Sequence, residues 1–230
     1  MPMVRRARSL ATRVASGDIA GVRSDLGRVI QSEFVAVGFR HDRERSYPEP
    51  TPTEWDLVAA PLDGDIALRL FDAEGLDDRD RQFLDRRRAL WEQGFRGGWV
   101  VLVGDEPAYL QFYLGSGQND LIRSYWGPLF PWLADDTLLA EGAWVPPAFR
   151  TRGLMAHALS VTTAAAVQAA GPSIRYVICY PEEANKGAVI GSHQAGFDVV
   201  ERRIETWRWG RQEVVFEPAT IDDIAVLASR

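Results

Sequence analysis

The spacing of apolar residues changes several times along the chain, and these changes predict alternating strands and helices. Short runs rich in β-branched and aromatic residues predict strands at 66–71, 99–103, 108–114, 138–145, 174–179, 198–209 and 212–216. Apolar residues on one helical face predict helices at 79–93, 153–170 and 185–195. We therefore expect an α/β fold with a mixed sheet. Its elements follow in the order strand, helix, three strands, helix, strand, helix and two strands.

The beginning of the chain has a different pattern. Apolar spacing predicts a helix over residues 3–36, broken near residues 16–18, although residues 34–39 could instead begin a strand. Three prolines within residues 46–53 prevent regular structure there. We expect two parts: an N-terminal helical arm with a proline-rich linker over residues 1–53, and the main domain over residues 54–230.

Charge and hydropathy argue against several classes of protein. The net charge of the 230 residues is -6, and an acidic surface repels phosphate backbones, so we expect no nucleic-acid partner. Residues 1–45 depart from this balance, with nine Arg against five acidic residues, a local charge of +4. That segment predicts a solvated amphipathic helix or, alternatively, an arm that docks on a membrane surface or a partner. No apolar run is long enough to span a bilayer, and no secretory signal follows the first arginines.

Residue usage adds weaker indications. Cys179 is the only cysteine, which rules out an internal disulfide and suits the cytoplasm. Lys186 is the only lysine, and we interpret the excess of arginine as the coding bias of a GC-rich bacterium. The histidines, His41, His157 and His193, are too scattered to predict a metal site.

Residues 145–155 have the clearest chemical meaning. A strand ends at Val145, two prolines prevent further pairing, and Gly153 opens a long helix. The first N–H groups of a helix have no acceptor within it and can bind a diphosphate, with arginine side chains adding charge and the glycine leaving room. The alternative is a capped helix with solvated arginines. The predicted binding residues are Trp144, Val145, Arg150, Thr151, Arg152, Gly153, Leu154 and Met155.

A second motif begins at Asn185, just after a predicted strand, and ends at Gly196-Phe197. Alone it indicates only a helix N-cap and a hydrophobic stop. With the first motif upstream of it, it resembles the GNAT superfamily of N-acetyltransferases. Arg150-x-x-Gly153 is similar to the first marked positions of the family's acyl-CoA motif, Arg/Gln-x-x-Gly-x-Gly/Ala. Asn185 and Gly196-Phe197 match the later motif in register, and Asn185 is a further predicted coenzyme-binding residue. The resemblance covers about residues 64–217.

Two positions depart from the family pattern. Met155 replaces the small residue that ends the first motif, which predicts a narrower approach to the phosphates. Ser192 occupies the position where many members carry a tyrosine, proposed in the family as the general acid. A serine hydroxyl is a poor proton donor, although it can hydrogen-bond the coenzyme sulfur.

The resemblance implies the GNAT acyl-CoA N-acyltransferase fold with an N-terminal helical extension. It also implies transfer of an acetyl or other acyl group from acyl-CoA to a primary amine of a small molecule or peptide, by direct attack. Two alternatives stay open: an acyl-carrier-protein donor that docks on the arm, and a non-catalytic acyl-CoA sensor. We expect a cytoplasmic monomer or homodimer without a metal.

Three residues are predicted to act in catalysis: Glu141, Ser192 and Tyr180. Strand alternation places Glu141 on an apolar face with Leu139, Ala143 and Val145, where burial raises the pKa of a carboxyl group. In the family a carboxylate on this strand often acts as the base, and the alternative is a structural ion pair with an arginine. Tyr180 is a candidate acid near the thioester.

The acceptor is expected on the open side of the sheet, beside the loop at 115–136. Tyr125 and Trp126 are predicted to line an aromatic acceptor pocket, and the alternative is that they are core residues at the edge of the sheet.

Overall fold

The computed structural model describes residues 31–45, 55–151 and 153–228. It contains eight strands: β1 (Gln31–Asp42), β2 (Leu57–Pro61), β3 (Gly98–Val103), β4 (Glu106–Leu114), β5 (Thr137–Trp144), β6 (Tyr176–Cys179), β7 (Asp198–Arg208) and β8 (Arg211–Pro218). They form one sheet in the order β2-β3-β4-β5-β6-β1-β7-β8. All neighbours are antiparallel except β5 and β6, which are parallel.

Six helices accompany these strands within the described residues: α1 (Gly64–Phe71), α2 (Asp78–Glu92), α3 (Asn119–Trp126), α4 (Leu154–Ala170), α5 (Lys186–Gln194) and α6 (Ala225–Ala228). Three begin at a capping side chain, because Asp63, Asp77 and Asn185 each accept a hydrogen bond from the first turn. The predicted mixed α/β fold is confirmed. None of the described helices is long and apolar enough to cross a membrane.

Two hydrophobic clusters lie on opposite faces of the sheet. Helices α1, α2 and α3 cover one face with Ile66, Leu84 and Ile122 among others. Helices α4 and α5 cover the other with Leu154 and Val189. Both faces of the central strands are therefore buried, which explains why their sequences read as continuous apolar runs. We refer to these faces as the α1–α3 face and the α4–α5 face.

The strand predicted at 66–71 is wrong, because these residues belong to helix α1. Asp63 caps the helix by accepting a hydrogen bond of 2.9 Å from the Ile66 N–H. Ile66, Ala67, Leu70 and Phe71 then bury one helical face. A short apolar run fits either a buried strand or a helix face, and here the capping residue decides.

The helix predicted over residues 3–36 is wrong for residues 31–36. They belong to β1, so the alternative interpretation of residues 34–39 as a strand is correct. β1 lies in the middle of the sheet, between β6 and β7, and the sheet therefore draws residues from both sides of the predicted boundary at residue 53. The rest of the predicted arm, residues 1–30, lies outside the described residues, as does the whole of the predicted linker at 46–53.

Candidate functional site

The two parallel strands separate part-way along the sheet. β5 and β6 pair only from Thr137 opposite Tyr176 to Leu139 opposite Ile178. Beyond this point β5 continues to Trp144 along β4, whereas β6 ends at Cys179. We call the space between the separated ends the β5–β6 opening. Backbone groups of β5 that face this space are released from pairing with β6 and are free to meet a ligand.

Strand β1 fixes the other wall of the opening. The Val37 N–H donates to the Pro181 carbonyl at 2.9 Å, and the Glu183 N–H donates to the Val35 carbonyl at 2.9 Å. The segment that follows β6 is thereby held along β1. That segment leads directly to Asn185, which caps α5 by accepting from the Ala188 N–H at 3.2 Å.

Glu141 lies beside this opening, on a bulge of β5. Phe112 pairs with Glu141 and Leu110 with Trp144, so β5 has one residue more than β4 across this stretch. The extra residue is Gly142, whose φ of 78° is a conformation that glycine adopts readily. The bulge resets the alternation of side chains along the strand.

The face predicted for Glu141 is therefore partly wrong. Leu139 packs on the α1–α3 face, the same face as Glu141, as predicted. Ala143 and Val145 pack on the α4–α5 face instead. Strict alternation carried no information about the bulge, because the bulge depends on pairing with β4.

Glu141 is a largely buried carboxyl group beside an arginine. Its side chain is 22% exposed, and its Oε1 lies 3.7 Å from the Nη2 of Arg87. Burial raises the pKa of Glu141, while Arg87 and Arg203 act in the opposite direction. The predicted structural ion pair thus exists, but it is long. A carboxylate whose pKa is raised toward neutrality is suited to accept a proton.

Arg87 approaches the bulge closely. Its Nε donates to the Gly142 carbonyl at 3.4 Å, and its guanidinium lies 4.0 Å from the centre of the Phe83 ring. A Cβ atom at position 142 would lie 2.7 Å from this Nε, so the Arg87 side chain would have to move to accommodate it. Arg87 could not be predicted as a site residue, because it lies in a run of three arginines on a helix whose partners are not visible in the sequence.

The start of α4 has the backbone shape expected of an anion-binding turn. Thr151 and Gly153 both have positive φ, 64° and 72°, on either side of residue 152. A Cβ atom at Gly153 would meet nothing within 4 Å, so the space beside it is open. Open space at a helix N-terminus fits a diphosphate bound by backbone N–H groups. Leu154 is buried beneath this turn, and Arg152 lies outside the described residues.

Arg150 connects this turn to helix α2. Its Nη2 donates to Asp80 Oδ1, and its Nε donates to the Val145 carbonyl at 2.9 Å. Asp80 is buried, and the same oxygen accepts a hydrogen bond of 3.1 Å from Trp144 Nε1. Arg150, Val145 and Trp144 were predicted to contact the coenzyme. The structure gives Arg150 and Trp144 a common partner in Asp80, which had no distinguishing signal in the sequence.

We expect Asp80→Asn to lower the free energy of unfolding by about 1–3 kcal/mol at pH 7, because a charged hydrogen-bond acceptor is lost. Arg150 lowers the pKa of Asp80 in the folded protein below its ordinary value of 3.8. The Asp80–Arg150 pair therefore contributes fully to the free energy of unfolding above pH 3.8. This contribution is lost as the pH falls through the pKa of Asp80 in the folded protein. Urea unfolding at pH 7 and near pH 3 measures this.

A matched control is Asp72→Asn, which removes an exposed partner of Arg88 at 2.7 Å. Exposed pairs contribute about 0–1 kcal/mol, so this change should be nearly neutral. An Asp80→Asn deficit that stays constant between pH 7 and 3 would contradict the role assigned to the Asp80–Arg150 pair.

Met155 packs against α5, and Ser192 belongs to that helix. A Cβ atom at Gly191 would be 3.1 Å from the Met155 sulfur, so the methionine packs against α5 where a glycine makes room for it. Ser192 is buried, and its Oγ lies 3.7 Å from the Cys179 sulfur. Burial raises the pKa of Cys179 to about 12, so its thiol stays protonated.

Tyr180 lies at the end of β6 and is joined to β7. Its hydroxyl donates to Glu201 Oε1 at 2.5 Å. Gly38 of β1 lies between the two, and a Cβ atom there would be 2.6 Å from Glu201 Cγ. Burial and the neighbouring carboxylate raise the pKa of Tyr180 well above its ordinary value. The phenol therefore stays protonated.

The two predicted acceptor residues belong to a chain of aromatic contacts on the α1–α3 face. Tyr125 and Trp126 are half-buried, with ring centres 4.8 Å apart. Trp126 then contacts Phe130 at 5.3 Å, and Phe130 contacts Tyr180 at 5.9 Å. These rings are core residues, and together they also form a wall that leads to Tyr180. The arrangement is therefore compatible with an acceptor pocket and with core packing at the edge of the sheet.

The histidines are not brought together. His193 is exposed, and His41 packs against Phe197 with ring centres 5.3 Å apart. Within residues 31–45, 55–151 and 153–228, no group of side chains is arranged to hold a metal ion.

Similarity to known proteins is found by comparing structures and not by comparing sequences. Neither the family models nor the curated proteins compared with the sequence match it. The GCN5-related glucosamine N-acetyltransferase region of a fungal multi-domain β-N-acetylglucosaminidase is similar in structure, with a TM-score of 0.54 and 10% identity over 75% of this chain and 20% of that one.

Two bacterial proteins are similar at lower scores. An acetyltransferase of the GNAT family from Colwellia psychrerythraea has a TM-score of 0.47 and 16% identity, over 87% of this chain and 62% of that one. A GCN5-related N-acetyltransferase from Sphaerobacter thermophilus has a TM-score of 0.49 and 11% identity, over 83% and 55% of the two chains. The chain thus spans less than two thirds of the length of each of these proteins.

Proposed function

From the fold that this chain shares with GNAT N-acetyltransferases, we propose that it transfers an acyl group, most simply acetyl, from acyl-CoA to a primary amine. The observation that carries the proposal is the position of Glu141. This carboxyl group lies beside the β5–β6 opening, on the strand that leads directly to the open N-terminal turn of α4. The proposed base and the proposed diphosphate site therefore belong to one continuous segment, which supports the proposal.

The proposed reaction is direct attack. The amine nitrogen bonds to the thioester carbonyl carbon while Glu141 accepts a proton from that nitrogen. The carbon–sulfur bond then breaks, and the coenzyme leaves as a thiolate that takes up a proton. The buried Cys179, with a pKa near 12, is unsuited to act as a nucleophile, which supports transfer without a covalent enzyme intermediate.

The residues proposed to hold the coenzyme are those around the α4 turn. The N–H groups that open α4 are proposed to bind the diphosphate, with Thr151 and Gly153 shaping the turn. Arg150 is proposed to hold this turn in place through Asp80. Tyr180, a protonated phenol, is the proposed proton donor for the leaving thiolate, and Ser192 is proposed to hydrogen-bond the coenzyme sulfur. Met155 packs against Gly191 of α5, and we propose that this leaves the approach to the phosphates open.

Binding of acyl-CoA is the first test. We expect acetyl-CoA at 100 times its Kd to raise the free energy of unfolding by about 2.7 kcal/mol, because it binds only the folded state. Thermal unfolding with acetyl-CoA, free CoA and longer acyl-CoAs measures this and ranks the acyl lengths. The absence of a shift with every one of them would contradict the proposed donor and would favour a carrier-protein thioester.

The role of the predicted arm is tested separately. A chain beginning at residue 54 would lose β1 from the middle of the sheet, so we expect it not to fold. A chain beginning at residue 31 keeps every described strand. If that shorter chain uses free acetyl-CoA like the full chain but loses activity with carrier-protein thioesters, the arm docks the carrier.

A further inference from the structure

Arg203 of β7 is a buried cation that forms no ion pair within the described residues. Its side chain lies on the α1–α3 face, where the residue is 8% exposed. Its Nη1 donates to the Leu129 carbonyl at 3.1 Å, and its guanidinium lies 5.3 Å from the Phe130 ring centre and 5.6 Å from that of Tyr180. Its buried Nε has no hydrogen-bond partner. Burying a guanidinium group without an ion-pair partner lowers the stability of the fold. A bound anion would therefore stabilise this arrangement.

Arg87 is a second buried cation on the same face, and its one ion pair is long. Its side chain is 13% exposed, and the nearest carboxylate oxygen, on Glu141, is 3.7 Å away. Its only hydrogen bond within the described residues is the 3.4 Å contact from Nε to the Gly142 carbonyl. Glu141 is in the electrostatic field of both arginines. Arg87 lies beside the candidate base, Arg203 acts on its pKa, and each of the two arginines makes only one hydrogen bond within the described residues.

The other carboxylates near Arg203 are engaged elsewhere. Glu201 accepts the Tyr180 hydroxyl, and Glu205 accepts from Trp207 Nε1 and, at 2.9 Å, from Gln212 Nε2. Glu182 is exposed to solvent. None of them forms an ion pair with Arg203. A bound anion would therefore accept hydrogen bonds from N–H groups of Arg203 that no carboxylate of the described residues engages.

We propose that the acceptor is an amine that also carries a carboxylate, of the amino-acid class, and that Arg203 and Arg87 bind this carboxylate. A planar guanidinium matches a carboxylate with paired hydrogen bonds, and it does so best when desolvated. In an α-amino acid the amine is attached to the carbon next to the carboxylate. Binding of the carboxylate beside Glu141 therefore brings the amine within reach of the base.

This inference rests on the proposed acyl transfer, and the test separates the two. Release of CoA thiol from acetyl-CoA is measured with three matched acceptors: phenylalanine, phenylalaninamide and phenethylamine. The same comparison is made with alanine, alaninamide and ethylamine. We expect kcat/KM to be about 10- to 100-fold higher for the amino acid of each set, as for a charged hydrogen bond gained.

Three variants identify the residue responsible. Arg203→Gln should reduce the ratio of kcat/KM between amino acid and amide to near one, mainly through KM for the amino acid. Arg88→Gln, on the same helix as Arg87 and paired with Asp72, is the control and should keep the ratio. Arg203→Met should unfold at the same temperature or higher, because an unpaired buried charge is removed. A large loss of stability would assign Arg203 a structural role instead.

The outcomes differ for the two proposals. Equal use of amino acid and amide, or a preference for the amide, overturns the carboxylate site and leaves acyl transfer intact. Failure of all six acceptors, tested with an acyl-CoA that binds, overturns both.

Discussion

Replacing Glu141 with Gln should lower kcat by about 10²- to 10⁴-fold, the usual contribution of a positioned general base. Glutamine keeps the size of the side chain and its ability to face Arg87, but it cannot accept a proton. We expect the Kd for acetyl-CoA to stay within about twofold, since the coenzyme is proposed to bind at the α4 turn. Single-turnover acyl transfer and thermal shift measure the two effects separately.

The pH dependence gives an independent check on the same residue. Because burial raises the pKa of Glu141 above its ordinary value of 4.5, the carboxyl group is still protonated at a pH where an exposed glutamate is ionised. The rate should therefore rise with pH through the folded pKa of Glu141, and Glu141→Gln should lose that acidic limb. Full turnover of the variant at every pH would contradict a base role and would leave the ion pair with Arg87 as its only function.

Replacing Gly142 with Ala should have the second largest effect, on both stability and activity. The left-handed conformation costs about 1–2 kcal/mol for a residue with a Cβ atom. The new atom would also lie 2.7 Å from Arg87 Nε and would displace this arginine from Glu141. We expect a loss of about 2–4 kcal/mol in unfolding free energy, combining strain with overpacking. Urea unfolding and acyl-transfer kinetics measure the two effects.

Gly104→Ala is the matched control for Gly142→Ala. Gly104 also has positive φ, 60°, in the turn between β3 and β4, but a Cβ atom there meets nothing within 4 Å. Gly104→Ala should lose only the conformational cost, about 1–2 kcal/mol of unfolding free energy, and should keep its acyl-transfer activity. Equal losses of acyl-transfer activity in Gly142→Ala and Gly104→Ala would show that the bulge affects activity only through the stability of the protein.

Local features of the site could be predicted from the sequence, and long-range contacts could not. The helix starts at Gly153 and Asn185 have capping and turn residues next to each other in the chain, so they were predicted within a residue or two. The base candidate was found for the same reason, as a carboxylate in an apolar strand. Its surroundings depend on Arg87 and Arg203, which lie far away in the sequence and look like ordinary surface arginines.

The errors have the same origin. Residues 31–36 continue a helical pattern, and only pairing with β7, at the other end of the chain, makes them a strand. The bulge at Gly142 likewise depends on β4. Asp80 looked like one more acidic residue in the first turn of a helix, although the structure buries it against Trp144 and Arg150.

The central claim is acyl transfer that depends on Glu141, and product formation tests it most directly. The full chain is incubated with acetyl-CoA and the amino acids named above, and the acetylated amine and free CoA are quantified by mass spectrometry. We predict equal amounts of both products with the natural chain and at least about 100-fold slower formation with Glu141→Gln. Binding of acetyl-CoA without any acetylated amine, or equal rates for the two proteins, would contradict it.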